Sequence, residues 1–247
     1  EILDYLTKFV TWDLDRIEQT GYIPAYLERK AHLSARDELV KLVSVSPKQG
    51  KVSALTFKGK IDRIDLKLVP VSLKQGSAEN VVSFRVVDYK SGRPLKDKPV
   101  KYAIRGQKLQ LPFYIVMAER ILSEEIKKGR IPQGQASLED ASFVYVAQDM
   151  EDKKGKQGAP EKTIKGDEWK DFQGQCWETV KEFLHYIREG IFPISPVEDT
   201  QKCEWCEFVT TCRKGHQPQK FRLEQDARLE KYREISNLNI SKKTNKT

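Results

Sequence analysis

The sequence predicts an α/β domain built around a mixed β-sheet, and the order of its apolar patterns supports this fold class. Apolar residues first recur at helical spacing, then alternate as in strands, and then return to helical spacing before a further strand and helix. Two strand-like segments, 60–71 and 81–88, are joined by the short polar stretch 74–80, which favours antiparallel pairing. Helices that alternate with strands in this way are expected to flank the sheet.

The elements of the first half follow from these two periods. Residues 1–19 carry apolar side chains near helical spacing and predict a helix, after which Pro24 breaks the pattern. The stretch from Pro24 to about residue 50 fits neither period. The segment VVSFRVVDYK at 81–90 is apolar and rich in β-branched residues, and it predicts a central strand that ends at a charged triplet.

The second half is assigned in the same way. Apolar spacing over residues 102–128 predicts a helix, in which Pro112 allows a kink or a later start. Residues 142–147 predict another strand, and the Lys/Gly-rich stretch 149–166 is expected to form a mobile excursion. Residues 169–188 predict a strongly amphipathic helix with Gly190 as its C-cap.

Composition limits the classes of protein to which the chain can belong. Its 247 residues suit one large domain, or a domain with an appendage. No stretch approaches ~18 consecutive apolar residues, so no membrane-spanning helix is expected. The polar first residues exclude a signal peptide, and without an initiator Met the chain is interpreted as a fragment or a processed form. A net charge of +8 favours a polyanionic partner such as nucleic acid, and a merely basic protein is the alternative.

Two carboxylates and an ammonium group form the first candidate site. Asp88 and Lys90 are two residues apart at the end of a predicted strand, so they share a face, and strand pairing would bring Asp62 to them. Two buried like charges repel and persist together only with a cation, for which oxygen ligands favour Mg²⁺. The Tyr89 carbonyl is a further candidate ligand. The alternative is a structural Asp88–Lys90 salt bridge, with Asp62 and Asp65 on a solvated face.

Three of the four cysteines form the second candidate site. Cys203, Cys206 and Cys212 have the spacing C-x2-C-x5-C, and such clustering in a Cys-poor chain predicts metal ligands in a reducing, cytoplasmic compartment. His216 would complete a C-x2-C-x5-C-x3-H pattern that suits zinc. Cys176 lies within a predicted helix and is interpreted as an ordinary buried thiol.

Four motifs occur in an order that resembles the RecB/AddB nuclease family of the PD-(D/E)XK superfamily. They are GKIDRID at 59–65, VVDYKSGR at 86–93, QLPFY at 110–114 and CEWCEFVTTC at 203–212. Each motif alone is weak, but the four in order cover about residues 52–214. The resemblance implies a restriction-endonuclease-like fold, with a central mixed sheet flanked by helices and a C-terminal segment that carries the cysteine cluster.

The resemblance also implies roles for individual residues. Asp62 and Asp88 would be metal ligands and Lys90 the catalytic lysine. Gln110 and Tyr114 match the family's Q-x-x-x-Y element, and at i and i+4 they share one helix face. A polar helix face with one core aromatic is the alternative reading of that pair.

Two ligands expected from the family have no counterpart in the sequence. In the family, three clustered cysteines and a fourth far upstream hold a [4Fe–4S] cluster, with zinc as the alternative here. A metal-binding histidine is also expected on an upstream helix, but His32 follows the expected place, so both ligands are expected to precede Glu1. Glu28 is a candidate acidic residue on the segment that leads into the site.

The resemblance therefore implies a Mg²⁺- or Mn²⁺-dependent deoxyribonuclease, exonuclease rather than endonuclease, acting on single-stranded DNA or DNA ends. No P-loop motif occurs in the chain, so a helicase would be a partner or another region of the same polypeptide. A catalytically impaired nucleic-acid-binding scaffold is the alternative. The nuclease domain is predicted over 1–214 and a basic, partly disordered tail over 215–247. Basic residues near the site are candidate phosphate contacts: Lys60, Arg63, Arg93, Lys96, Lys101, Arg105 and Lys108.

Overall fold

The structure is a computed structural model that describes residues 2–34, 37–43, 55–72, 78–132, 134–146, 161–193, 206–208, 210–212, 218, 221 and 224–237. Its strands are β1 (Ile23–Leu33), β2 (Phe57–Ser72), β3 (Ala78–Lys90), β4 (Gly134–Tyr145) and β5 (Glu161–Lys165). Its helices are α1 (Ile2–Thr20), α2 (Glu38–Val43), α3 (Pro99–Ala103), α4 (Gln110–Lys127), α5 (Gly166–Arg188) and α6 (Glu230–Asn237).

The five strands form one mixed sheet in the order β1-β2-β3-β4-β5. β1 with β2, β2 with β3, and β4 with β5 pair antiparallel, whereas β3 and β4 pair parallel. The connection between β3 and β4 contains α3 and α4, because two parallel neighbours need a long crossover. The predicted mixed sheet and the predicted antiparallel pairing of β2 with β3 are both confirmed.

Helices α4 and α5 cover one face of the sheet, which we call the front face. Phe113 of α4 contacts Phe57 of β2 and Trp177 of α5, with ring centroids 4.7 and 5.4 Å apart. Most of the buried apolar side chains lie in this layer, including Ile61, Ile64 and Val86. Burial of this apolar surface is the main stabilising contribution to the fold.

Helix α1 covers the opposite face, which we call the rear face. Its aromatic side chains Phe9 and Trp12 pack against Val87 and Val144, which alternate with the front-facing residues of β3 and β4. The outer side of α1 is apolar and exposed at Leu3, Leu6, Val10 and Leu14. None of the helices that the structure describes is long and apolar enough to span a lipid bilayer.

The structure corrects three predicted elements. The unassigned stretch after Pro24 contains β1, an edge strand with a register shift near Pro24 and mostly exposed side chains. The single helix predicted over 102–128 is two helices separated at Gly106, and α4 begins at Gln110. Pro112 therefore lies in the first turn of α4, where a missing N–H breaks no hydrogen bond.

The third correction concerns residues 149–166, which were expected to form a mobile excursion. β5 and the first residue of α5 lie within this range, while residues 147–160 are outside the described part of the chain. The predicted cap of α5 is confirmed, because Gly190 has a φ of +67° and the Ile191 N–H donates to the Tyr186 carbonyl at 2.9 Å.

The basic C-terminal segment contains α6, which packs on α5. Leu229 and Ile235 are buried, and the Tyr186 hydroxyl of α5 accepts a hydrogen bond from the Tyr232 N–H at 3.1 Å. The prediction of partial disorder for 215–247 falls mainly on residues 238–247, which lie outside the described residues.

Candidate nuclease site

The candidate site lies where β2 and β3 separate. Their backbone pairing ends at Arg63 and Val87, and the Asp62 carboxylate then accepts a hydrogen bond from the Tyr89 N–H at 3.0 Å. Ile61 and Ile64 both enter the front core although they are three residues apart, so the alternation of β2 changes phase at this point. The phase change places Asp62 beside the end of β3, whereas simple alternation along β2 would not put both Ile61 and Ile64 in the front core.

A chain of polar contacts leads from Asp88 to helix α4. The Lys90 ammonium forms an ion pair with the Asp88 carboxylate and donates to Gln110 Oε1 at 2.8 Å. Gln110 Nε2 in turn donates to the Tyr114 hydroxyl at 2.9 Å. Lys90 also lies 5.1 Å from the centre of the Phe143 ring. The structure therefore brings Asp88, Lys90, Gln110 and Tyr114 together, on the front face.

Asp88 has the most unfavourable electrostatic environment in this group. Its side chain is fully buried, and Oδ1 accepts no hydrogen bond from the residues that the structure describes. Burial raises the pKa of the Asp88 carboxyl and the nearby charge of Asp62 adds to the effect, whereas Lys90 opposes it. A cation beside Asp88 would relieve both unfavourable contributions.

The donor set at the site fits a hard divalent cation. Asp62 and Asp88 offer carboxylate oxygens from adjacent strands, and the Asp88 oxygen without a partner is available for coordination. Among the described residues no three carboxylate, histidine or cysteine groups converge on one point. Two protein carboxylates suit Mg²⁺, which retains several waters in protein sites.

The pKa of the Tyr114 hydroxyl depends on the same charges. Burial raises the pKa of the Tyr114 hydroxyl, the hydrogen bond from Gln110 opposes this, and the carboxylates of Asp88, Asp62 and Glu28 raise it further. Glu28 is in β1, which pairs with β2 beside the site. Tyr114 also contacts β2 closely, since a Cβ atom at Gly59 would lie 3.3 Å from its ring.

Glu28 occupies an unusual position next to these residues. The register of β1 and β2 places Glu28 opposite Asp62, between the pairs Leu27–Arg63 and Arg29–Ile61. Its φ of +52° is in the left-handed region, which costs a non-glycine residue about 1–2 kcal/mol. The Glu28 carboxylate forms an exposed ion pair with Lys60, and this hydrogen bond raises the pKa of the Lys60 ammonium.

The structure removes Arg63 from the candidate phosphate contacts. Arg63 is 3% exposed and points to the rear face, where Asp65, Asp13 and the Tyr89 hydroxyl accept its hydrogen bonds. A buried arginine with these partners is not available to a phosphate. Lys101 is paired with Asp97 at 2.8 Å, while Arg93, Lys96 and Lys108 are exposed. Sequence reasoning missed this rear network, although the i, i+2 spacing of Arg63 and Asp65 in a strand indicates a shared face.

The family's upstream histidine has no counterpart in α1, whose sequence contains none. His32 is exposed on β1, where it pairs with Lys58 in the strand register, and it is not on a helix. The Tyr89 side chain points to the rear face. The coordination of a metal ion by its backbone carbonyl stays a prediction.

The cysteine cluster is described only in part. Cys206 and Cys212 are half-buried free thiols, and Phe208 between them is exposed. Cys203, Trp205 and His216 lie outside the described residues. Cys176 is buried in the front core, its thiol faces the Ala103 carbonyl at 3.8 Å, and burial raises its pKa to about 12.

Comparison with known proteins identifies the family. The family model described as the PD-(D/E)XK nuclease superfamily matches residues 4–213, which is most of the chain. No curated protein matches the chain. The five-stranded mixed sheet flanked by helices agrees with the restriction-endonuclease-like fold, so the predicted fold class is confirmed. The chain therefore belongs to the PD-(D/E)XK nuclease superfamily.

Proposed function

We propose that the chain is a divalent-metal-dependent deoxyribonuclease that hydrolyses phosphodiester bonds at the front-face site. The observation that carries this proposal is the contact chain Asp88–Lys90–Gln110–Tyr114, which converges with Asp62 at the separation of β2 and β3. A structural salt bridge would not require a buried carboxylate oxygen without a partner next to a second carboxylate. Membership in a nuclease superfamily agrees with this chemistry.

Asp62 and Asp88 would hold Mg²⁺ or Mn²⁺, and the Tyr89 carbonyl is a further candidate ligand. When bound, the ion would polarise a phosphoryl oxygen of the substrate and lower the pKa of a water molecule. Binding a cation also offsets the repulsion between the two carboxylates, which the ion pair of Asp88 with Lys90 counters only in part.

Lys90 would orient the attacking water and neutralise negative charge that develops on the phosphoryl group in the transition state. Gln110 fixes the direction of Lys90, because its amide oxygen accepts from the ammonium while its amide nitrogen donates to Tyr114. Two hydrogen bonds at opposite ends of the amide specify its orientation. Lys90 is therefore held beside Asp88 in a defined geometry before the substrate binds.

The test is cleavage of linear DNA by the purified chain with Mg²⁺ or Mn²⁺. Lys90→Ala should abolish cleavage, and circular dichroism of the variant checks that it still folds, because Lys90 is the ion-pair partner of the buried Asp88. Lys231→Ala removes the same charge on α6, where Lys231 pairs with Glu234, and should leave cleavage unchanged. Cleavage that survives Lys90→Ala would refute the assignment of this lysine.

The finer substrate proposal is an exonuclease that acts on single-stranded DNA or on DNA ends, in a helicase-nuclease or DNA repair system. Its support is the resemblance to the RecB/AddB family and the net charge of +8. Linear and circular single-stranded DNA of one sequence should separate the two modes, since an exonuclease leaves the circle intact. Degradation of the circle at the same rate would instead indicate an endonuclease.

The alternative function is a nucleic-acid-binding scaffold of the same fold that does not cleave. The absence of a histidine from α1 favours it, whereas the assembled front-face site favours catalysis. DNA binding without cleavage in either metal would support the scaffold. Association with a helicase and a cytoplasmic location stay proposals under both functions.

We also propose that Cys203, Cys206 and Cys212 are ligands of a [4Fe–4S] cluster, with zinc bound with the help of His216 as the alternative. Cys206 and Cys212 fit this role because they are free, half-buried thiols. A cluster would tie the end of the domain to a distant ligand. Cys176 has no part in it, since its thiol is enclosed in the core.

Metal analysis of anaerobically purified protein tests this assignment. Bound iron with acid-labile sulfide and a brown colour would support the cluster, and zinc without iron would support the alternative. Cys206→Ser and Cys212→Ser should lose the metal, whereas Cys176→Ala should retain it. Retention of iron by both serine variants would exclude these two cysteines as ligands.

A further inference from the structure

A buried cluster of charged groups lies on the rear face directly behind the candidate site. Arg63 Nε and Nη2 donate to the two carboxylate oxygens of Asp65 at 2.5 and 2.7 Å. Arg63 Nη1 donates to the Asp13 carboxylate of α1 and to the Tyr89 hydroxyl, the latter at 3.0 Å. We call these four residues, Arg63, Asp65, Asp13 and Tyr89, the rear clamp.

The rear clamp spans the point at which β2 and β3 separate. Arg63 is adjacent to Asp62 in β2, and Tyr89 lies between Asp88 and Lys90 in β3. Backbone pairing between the strands ends at Arg63, so beyond this residue side chains join the two strands. Two hydrogen bonds hold Tyr89 there, one from Arg63 to its hydroxyl and one from its N–H to Asp62.

Helix α1 completes the rear clamp from outside the sheet. Asp13 supplies a carboxylate to Arg63, and Phe9 packs edge-on against the Tyr89 ring with centroids 5.7 Å apart. Arg16 of α1 adds an ion pair with Glu161 of β5 at 3.3 Å. A buried arginine needs such partners, because an uncompensated charge in the interior is strongly unfavourable. The position of Tyr89 therefore depends on how α1 docks.

We propose that Arg63 and Tyr89, held by Asp13 of α1, are positioning residues that set the separation of the Asp62 and Asp88 carboxylates and so the affinity of the site for a divalent cation. The inference rests on the proposed function only in taking these two carboxylates as metal ligands. Groups that orient metal ligands typically change metal affinity by about 10- to 100-fold when they are removed.

Calorimetric titration of the full chain with Mn²⁺ alone tests this proposal without substrate. Tyr89→Phe removes one hydroxyl and keeps the ring against Phe9, and we expect Mn²⁺ binding about 10-fold weaker. The Mn²⁺ concentration for half-maximal cleavage should rise by the same factor, with the KM for DNA at saturating Mn²⁺ unchanged. Asp13→Asn should weaken Mn²⁺ binding in the same direction, since it removes the charge that holds Arg63.

Tyr22→Phe is the matched control, because it removes another buried tyrosine hydroxyl from the rear face. The Tyr22 and Ser83 hydroxyl groups form a hydrogen bond of 2.6 Å. Ser83 lies in β3, five residues before Asp88. This variant should bind Mn²⁺ as the wild type does. Wild-type affinity in Tyr89→Phe, or equal weakening in Tyr22→Phe, would overturn the proposal.

The outcomes separate this inference from the proposed function. Mn²⁺ binding that depends on Tyr89 in a chain that cleaves no DNA would support the rear clamp and refute the nuclease. DNA cleavage with unchanged metal dependence in Tyr89→Phe would refute the rear clamp and keep the nuclease. A wild-type chain that binds no Mn²⁺ would overturn the metal site and the rear clamp together.

Discussion

Asp88 shows how a site residue can lower the stability of the fold that contains it. Burial raises the pKa of its carboxyl above the unfolded value, so without a cation the folded chain disfavours the ionised form. The native state then holds a proton more tightly than the unfolded state does, and stability falls as the pH rises through the folded pKa. Below the unfolded pKa the group is protonated in both states and this loss disappears.

Asp88→Asn should therefore stabilise the metal-free chain at neutral pH. The amide has the same shape and carries no charge, so the desolvation of a carboxylate and its repulsion by Asp62 are both removed. We expect a higher melting temperature at pH 7 in EDTA, by about 2–4 °C for each 1 kcal/mol gained. The gain should vanish toward pH ~3, below the unfolded pKa of Asp.

The control is Asp97→Asn at an exposed carboxylate. A hydrogen bond from Lys101 lowers the pKa of Asp97, so its ionised form is favoured and the amide should give no gain at neutral pH. A lower melting temperature for Asp88→Asn than for the wild type at pH 7 in EDTA would show that Lys90 fully compensates the buried charge.

Lys108 offers a test of backbone strain beside the site. Its φ of +50° lies in the left-handed region, two residues before Gln110. Lys108→Gly should stabilise the chain by up to about 1 kcal/mol, the relief of left-handed strain less the greater freedom of glycine in the unfolded chain. Lys108→Ala keeps a Cβ atom and should give no such gain. Denaturant unfolding of the two variants measures the difference, and equal stabilities would show that the strain is absent.

Among the elements, the turn between α3 and α4 is held in place by α5. Gly106 has a φ of +71°, and a Cβ atom there would lie 1.9 Å from the Phe183 ring. Phe183 belongs to α5, so the turn that leads to Gln110 is packed directly beneath this helix. The close approach requires a glycine at this position.

Gly106→Ala should destabilise the chain by about 2–5 kcal/mol, the sum of left-handed strain and overpacking. Gly190→Ala is the matched control, since Gly190 has a similar φ of +67° and nothing within 4 Å of an added Cβ atom. It should cost only about 1 kcal/mol. Equal losses of unfolding free energy in the two variants would exclude the contact with Phe183.

The sequence predicts those elements whose burial is periodic. β3 is buried on both of its faces and α5 on one, so the apolar patterns of these two elements identify them. β1 was missed because it is an edge strand with exposed side chains and a register shift near Pro24. The break at Gly106 was missed because the apolar spacing continues across it.

Within the site, the pairs of residues that share one strand or one helix could be predicted from the sequence. Alternation along β3 puts Asp88 and Lys90 on one face, and helical spacing does the same for Gln110 and Tyr114. The contact between Lys90 and Gln110 arises from the crossover of α4 over the sheet. Asp13 joins the rear clamp only because α1 docks on the rear face, and no local pattern in the sequence encodes that docking.

For the molecule as a whole, the sheet separates two tasks. The front face carries the polar groups proposed for catalysis, and the rear face carries the buried charges that tie α1 to the strand ends. The chain has a net charge of +8. The basic side chains near the site are mostly exposed to solvent and belong to neither of these two groups. Such a charge distribution predicts a substrate bound through its phosphates and not through base contacts.

Binding of single-stranded DNA in EDTA should therefore weaken steeply with salt. Each phosphate neutralised by a lysine or arginine contributes a slope of about −0.7 to a plot of log affinity against log salt concentration. We expect affinity to fall on the order of 10-fold or more between about 50 and 200 mM salt, with little difference between DNA sequences. Arg93→Ala and Lys96→Ala should each make the slope shallower, whereas Lys231→Ala on α6 should leave it unchanged. An affinity that does not change with salt, or a strong preference for one DNA sequence, would contradict binding through the phosphate backbone.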